Sequence, residues 1–163
     1  MGTEAFDAIV GRIDYPMFVV TTATPEGERA GCLVGFATQS GIDPARYLVC
    51  ISDKNRTYRV LQHAGAMAVH IVPDDATDIV ELFGAETGDD GDKFERAEWR
   101  PGPDGLPILA GCPSWFAGRI LDRIRLGDHV GHLIEPFAGE DGAPGRGWFP
   151  FQRAKEVEPG HEA

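Results

Sequence analysis

Cysteine is scarce in this chain. Its 163 residues hold three, Cys32, Cys50 and Cys112. An odd number with no C-x-x-C spacing supports neither a zinc site nor a disulfide framework, and reduced thiols in a cytoplasm are the simpler expectation. Long apolar runs are missing, so no bilayer-crossing segment is expected. The N-terminal stretch MGTEAFDAIVGRIDYP has acids where a secretion signal would carry a basic region. Positive charge is short as well. Fifteen Lys and Arg face 26 acids, for a net charge of −11, which argues against nucleic-acid binding because that needs a basic footprint.

Two catalytic signatures are also absent. No G-x-G-x-x-G follows a strand-like run, which disfavours a dinucleotide-binding Rossmann sheet. Ser40 and Ser114 lack the G-x-S-x-G context of a hydrolase nucleophile. Asp89, Asp90 and Asp92 around Gly91 lack the alternating ligands and distal glutamate of a calcium loop, so a solvated acidic loop is expected and no metal site is assigned.

What is present is a series of short strands with few helices. Thr3 can cap a helix whose Phe6, Ile9, Val10 and Ile13 share one face. Apolar, β-branched runs predict strands over 17–22, from Arg29, over 47–51 and over 66–72, with a turn at Asp43-Pro44. A helix is expected over 55–63, ended by Gly65, and another over Ile79 to Phe83, capped by Asp74 or Asp75 and closed by Gly84. Residues 85–107 read as a long polar, proline-punctuated excursion. Ser114 to Arg125 and His129 to Phe137 form a hairpin about Gly127-Asp128, followed by a loop over 139–147 and a frayed tail. The whole predicts one domain over 1–163, with its core at about 14–138 and a flexible tail at about 152–163. Its class is mainly β, a β-barrel decorated by helices.

Two places could carry chemistry. The step Ser52-Asp53-Lys54-Asn55-Arg56-Thr57 sets two cations, an amide and a hydroxyl at a helix start, where unpaired N–H groups favour an anion such as phosphate. The same residues also suit an ordinary capped and solvated helix start. His129, after Asp128 at the hairpin turn, could position a substrate or be a plain surface residue. It cannot share a strand face with His132, because their spacing is odd.

In order along the chain stand YPMFVVTT, AGCLVGFATQSGIDP, SDKNRTYRVL, GAMAVHIV, ELFG, DKF, WRPGPDGLPIL and GDH. Together these resemble the flavin reductase-like family, whose FMN-binding split β-barrel proteins include reductase components of two-component monooxygenases. The resemblance implies a split β-barrel that reduces FMN or FAD with NAD(P)H. It is also compatible with a flavin carrier or sensor without turnover. It implies that the strand carrying Gly31, Cys32, Leu33, Val34, Ala37, Thr38, Gln39 and Ser40 lines the flavin ring. Asp53, Lys54, Asn55 and Thr57 would then lie on the phosphate side, and Lys93 and Phe94 would belong to a loop closing over the flavin. His129 would stand beside the nicotinamide. A homodimer is implied, with a monooxygenase partner that receives reduced flavin. Where the family carries hydroxyl residues on the flavin strand, this chain has Leu33, Val34 and Gly35. Gly41 replaces the serine before the DPP turn, and Ala45 the second proline.

Overall fold

The computed structural model describes residues 2–85 and 92–156. Its strands are β1 (Phe18–Ala23), β2 (Arg29–Val34), β3 (Ala37–Ile42), β4 (Ala45–Ser52), β5 (Ala66–Ile71), β6 (Trp99–Pro101), β7 (Pro107–Leu109), β8 (Ser114–Leu126) and β9 (His129–Asp141). Four short helices accompany them: α1 (Glu4–Arg12), α2 (Arg56–Leu61), α3 (Thr77–Val80) and α4 (Phe151–Ala154).

Seven strands form one sheet in the order β2-β1-β5-β8-β9-β4-β3, and β6 pairs with β7. The two edge strands of the large sheet, β2 and β3, are neighbours in sequence, joined by Gly35 and Phe36 alone. A flat sheet of seven strands would hold its edges roughly 29 Å apart, whereas the three peptide steps from Val34 to Ala37 reach about 11 Å at most. The sheet must therefore roll up, with its split between β2 and β3. The Cys50 N–H on β4 donates to the Phe36 carbonyl at 2.8 Å and pins that corner. This is the split-barrel class expected from the sequence.

The hairpin of β8 and β9 carries both halves of the roll. The first part of β8 pairs with β5 and the first part of β9 with β4. Register shifts at Ala117/Gly118 and Ile120/Asp122 accompany the change of partner, as bulges do when a strand bends. In β1, Val20 packs into the barrel interior with Val34, Val49, Ile51, Met67 and Ile134, while Val19 joins an outer core with Phe83, Phe94, Leu109 and Phe149. Both faces of β1 are buried, which is why it opens on the apolar run Phe18-Val19-Val20 and why its Thr21 and Thr22 hydroxyls donate to the Pro107 and Ala66 carbonyls.

His70 ties this outer layer together. It is fully buried; its Nδ1–H donates to the Val19 carbonyl at 2.9 Å and its Nε2 accepts from the Leu109 N–H at 3.1 Å. Both ring nitrogens are satisfied only in the neutral form, and burial pulls its pKa down to about 4.

Several expectations are corrected. The run from Gly31 is two strands, because it changes partner from β1 to β4 at the Gly35–Phe36 corner. The helix expected over Ile79 to Phe83 is not capped by Asp74 or Asp75. Asp75 instead pairs with Arg146 at 2.6 Å, α3 begins after Ala76, and the chain widens into a π turn over Glu81–Ala85. The excursion over 85–107 contains the β6–β7 hairpin. Its prolines masked it from the sequence, yet Pro101 and Pro107 sit opposite each other within the ladder. The loop expected from 139 begins later, since Gly139 to Asp141 still pair with β8. The tail expected to be flexible from 152 starts in α4, where the Gln152 side-chain amide donates to the Gly11 and Ile13 carbonyls, both at 2.9 Å. Asp89, Asp90 and Gly91, like residues 157–163, lie outside the described residues.

Candidate functional site

The corner where the barrel splits is also where a cleft opens. It encloses about 280 Å³ and is walled by Cys32, Leu33 and Val34 of β2, the Gly35–Phe36 corner, and Cys50, Ile51 and Ser52 at the end of β4. Asn55, His129, Phe83, Gly84, Tyr15, Met17, Phe151 and Ala154 complete it. In one wall Tyr15 and Phe151 stack on each other at 4.6 Å with planes 14° apart. The corner passes so close to this wall that a Cβ on Gly35 would lie 3.0 Å from Tyr15 Cε1, tighter than ordinary packing allows. A cleft of this size, mostly apolar with a few polar groups on its rim, suits a planar ring with a polar edge.

His129 is where the sequence placed it, at the first position of β9 beyond the Gly127 turn. Gly127 takes the left-handed φ of 83° that such a turn needs. Its side chain is 20% exposed, and its Nδ1 lies 2.8 Å from Asp128 Oδ1. The hydrogen bond from His129 holds the Asp128 carboxyl below its ordinary pKa. With Nδ1 held there, Nε2 is the ring's remaining polar atom. Phe36 leans on the same ring at a centroid distance of 5.0 Å. His132 is on the other face, fully buried and edge-on to Tyr58.

The helix start at α2 is more committed than a bare anion site would be. Asn55 caps it by accepting from the Thr57 N–H at 2.8 Å. The Lys54 N–H donates to Ser52 Oγ at 3.3 Å, and the Asn55 N–H to the Ser52 carbonyl at 3.1 Å. Asp53 pairs with Arg125 at 3.0 Å. Thr57 is buried and hydrogen-bonds Cys32, whose thiol is pushed up chiefly by burial. Lys54 is exposed.

Lys93 and Phe94 do not form an outer closing loop. They occupy a 3-10 turn over Lys93–Glu95, with Phe94 buried edge-on against Phe83 and Trp99. The Lys93 ammonium is drawn inward and donates to the Phe83 and Gly31 carbonyls at 3.2 and 3.4 Å. The physical reason is the outer core, which takes the phenyl ring, and the open edge of β2, which presents a carbonyl to the ammonium.

Of the residues singled out in the sequence, Cys32, Leu33, Val34, Asn55 and His129 share the cleft. Gly31, Thr57, Lys93 and Phe94 line a narrow recess beside it, which Asn55 also borders. Ala37 and Thr38 lie in a shallower apolar groove with Val10, Ile13 and Leu48. Gln39, Ser40, Asp53 and Lys54 line none of the three. Sequence reasoning missed Tyr15, Met17, Cys50 and Phe151 as wall residues. Tyr15 and Phe151 come from opposite ends of the chain, and no local pattern links them. Among the described residues no group of three His, Cys, Asp or Glu could hold a metal ion, and no helix is long and apolar enough to cross a membrane.

Residues 10–143 match the family model described as "Flavin reductase like domain". The chain is 30% identical over 135 residues to "Probable flavin reductase" of Rhizobium meliloti (strain 1021), covering 80% of this chain and 42% of that protein. It is 26% identical over 130 residues to the reductase subunit HsaB of a flavin-dependent monooxygenase of Mycobacterium tuberculosis, covering 77% of this chain and 65% of that one. It thus spans about half the length of the curated relatives it matches. The fold is similar to that of Streptomyces globisporus NADH:FAD oxidoreductase SgcE6, with a TM-score of 0.80, 22% identity and coverage of 90% and 86% of the two chains.

Proposed function

This chain belongs to the flavin reductase-like family, and from that premise we propose that it uses NADH or NADPH to reduce a flavin, FMN or FAD, seated in the cleft at the barrel split. The observation that carries the proposal is an apolar cleft at the barrel split with a histidine in its lining. A bound flavin supplies a ring able to accept hydride from a nicotinamide, and the protein supplies position.

The residues present fit such a ring. Tyr15, Phe151, Met17 and Leu33 offer apolar walls that exclude water. β2 is an edge strand, and its Gly31 carbonyl is turned away from β1 toward Lys93. By strand alternation the Leu33 N–H and C=O face the same open side. Backbone groups can therefore meet the polar edge of the ring where this strand lacks hydroxyl side chains. Asn55, Thr57 and Lys93 border the recess on the phosphate side, with Lys54 and Asp53 in the step above it. His129, steadied by Asp128, orients the nicotinamide through Nε2.

The working form is a homodimer. Its support is the unpartnered apolar surface of a single chain: Phe6 is 64% exposed and Ile42 86%, and burying such groups favours association. The partner is an oxygenase component that takes the reduced flavin, a reading supported by HsaB being the reductase subunit of a flavin-dependent monooxygenase. Three free thiols suit a reducing cytoplasm. The test is nicotinamide oxidation by purified protein with free FMN or FAD. Steady turnover that requires flavin is expected, and binding of flavin without turnover would make the protein a carrier.

A further inference from the structure

The corner between β2 and β3 leaves a phenyl ring half in water. Among the described residues several large apolar side chains are exposed, Phe6, Ile42 and Leu126 with them, but only Phe36, 54% exposed, also lines the cleft. A ring so placed forgoes the free energy of burial. The backbone imposes the position. The Phe36 carbonyl accepts from the Cys50 N–H at 2.8 Å, and the Ala37 N–H donates to the Gly35 carbonyl at 3.2 Å. Gly35 itself is pressed against Tyr15. The corner thus holds the ring at the opening, where the cleft and the shallower groove have Tyr15, Gly35, Phe36 and Cys50 in common.

The ring meets His129, with centroids 5.0 Å apart and planes at 49°. His129 Nδ1 is engaged by Asp128, so the pair presents an aromatic face beside one polar atom, Nε2. That combination matches a flat heteroaromatic ring bearing a carboxamide, the ring against the phenyl and the carboxamide at Nε2. The contact also depends on charge. A dihydronicotinamide is neutral, and once its C4 hydrogen has left with its electron pair for the flavin it is a pyridinium cation. A phenyl face is the negative part of the ring's quadrupole and attracts such a cation, so this contact strengthens as hydride leaves.

We propose that Phe36 is the stacking face for the nicotinamide ring and favours its oxidised, cationic form over the neutral reduced one. The proposal rests on the reductase reading above and adds to it the side chain that sets nicotinamide affinity at the opening of the cleft.

The test compares the wild type with Phe36→Leu, which stays apolar but loses the aromatic face, and with Phe36→Tyr, which keeps it. NADH and NADPH are tried on the wild type, and the faster reductant and its oxidised form are then used throughout. Flavin-loaded protein is mixed anaerobically with the reductant to obtain its dissociation constant and the limiting rate of flavin reduction. Inhibition by the oxidised nicotinamide, flavin affinity and light scattering are measured beside it. Phe36→Leu should raise the inhibition constant of the oxidised nicotinamide about three- to tenfold and slow the limiting rate by a similar factor. The dissociation constant of the reductant should move less, and Phe36→Tyr should behave as the wild type. Flavin affinity and oligomeric state should hold in both variants. Unchanged inhibition and rate in Phe36→Leu would overturn the proposal, and equal losses in both variants would reduce the phenyl to a packing role. A loss of flavin affinity with nicotinamide binding kept would make Phe36 a wall of the flavin site instead. Dissociation of a dimer with nicotinamide binding kept would make it a subunit contact. A wild type whose bound flavin neither nicotinamide reduces would overturn the reductase reading itself, an outcome visible before any variant is made.

Discussion

His129 is the residue on which the catalytic reading turns. Its ring is fixed on one side by Asp128 at 2.8 Å and on the other by Phe36, which leaves a single orientation at the cleft. If it positions nicotinamide, His129→Ala should raise the KM for NADH or NADPH and lower kcat/KM by about tenfold, since misplaced rings weaken proximity catalysis. Flavin affinity should hardly change. Stopped-flow reduction beside a flavin titration decides this, and equal reduction rates at every nicotinamide concentration would return His129 to the status of a turn residue. Lys54 is the second case. Removing a charge-assisted phosphate contact costs about tenfold or more in affinity, so Lys54→Ala should weaken flavin binding by that order, and an unchanged titration would take Lys54 out of the site. Both residues stood out in the sequence because their signals are local: a Gly-Asp turn between strands, and a polar step into a helix. The inward turn of Lys93 and Phe94 was not legible, because it is set by Phe83 and by the edge of β2, neither adjacent to them in sequence.

At the scale of elements, strands with alternating or wholly apolar patterns were read within a residue or two, and the β8–β9 hairpin was found from its turn. What stayed hidden depends on partners. The change of pairing at Gly35–Phe36 leaves no mark in composition, and the β6–β7 ladder hides behind its prolines. The hairpin's bend at Gly118 is testable. A Cβ there would lie within 2.8 to 3.0 Å of three Ile134 side-chain atoms, and overpacking of this kind costs about 1–3 kcal/mol. Gly118→Ala should lower the denaturation midpoint accordingly, and an unshifted midpoint would mean that β8 and β9 are not so tightly apposed. His70 gives the elements a pH dependence. Its folded pKa near 4 is below its ordinary value of about 6.5, so between these values the unfolded chain binds more protons. Stability is therefore full above pH 6.5 and falls as pH drops through this window, by about 3 kcal/mol in all. Denaturant titrations from pH 7 to pH 4 should show this slope in the wild type, and His70→Gln should flatten it. An equal slope in both proteins would show that His70 is not the group responsible.

For the molecule as a whole, a rolled sheet with its cleft at the split accounts for why wall residues come from both ends of the chain. The sequence carried the class of the fold through the number and spacing of its strands, but closure emerges only when the edges are seen to be sequence neighbours. The apolar face of α1, with Phe6, Ile9, Val10 and Ile13 all exposed, was legible as a helix face, and a single chain leaves it uncovered. Light scattering at micromolar concentration should report a dimer, and a monomer that binds flavin fully would contradict that assembly. The central claim, that this chain passes reducing equivalents from nicotinamide to flavin, is tested most directly by anaerobic stopped-flow mixing of the flavin-loaded protein with NADH and with NADPH. The account predicts loss of the oxidised flavin band in step with nicotinamide oxidation, one equivalent for each flavin. A bound flavin that stays oxidised with both nicotinamides, yet bleaches on addition of dithionite, would contradict it.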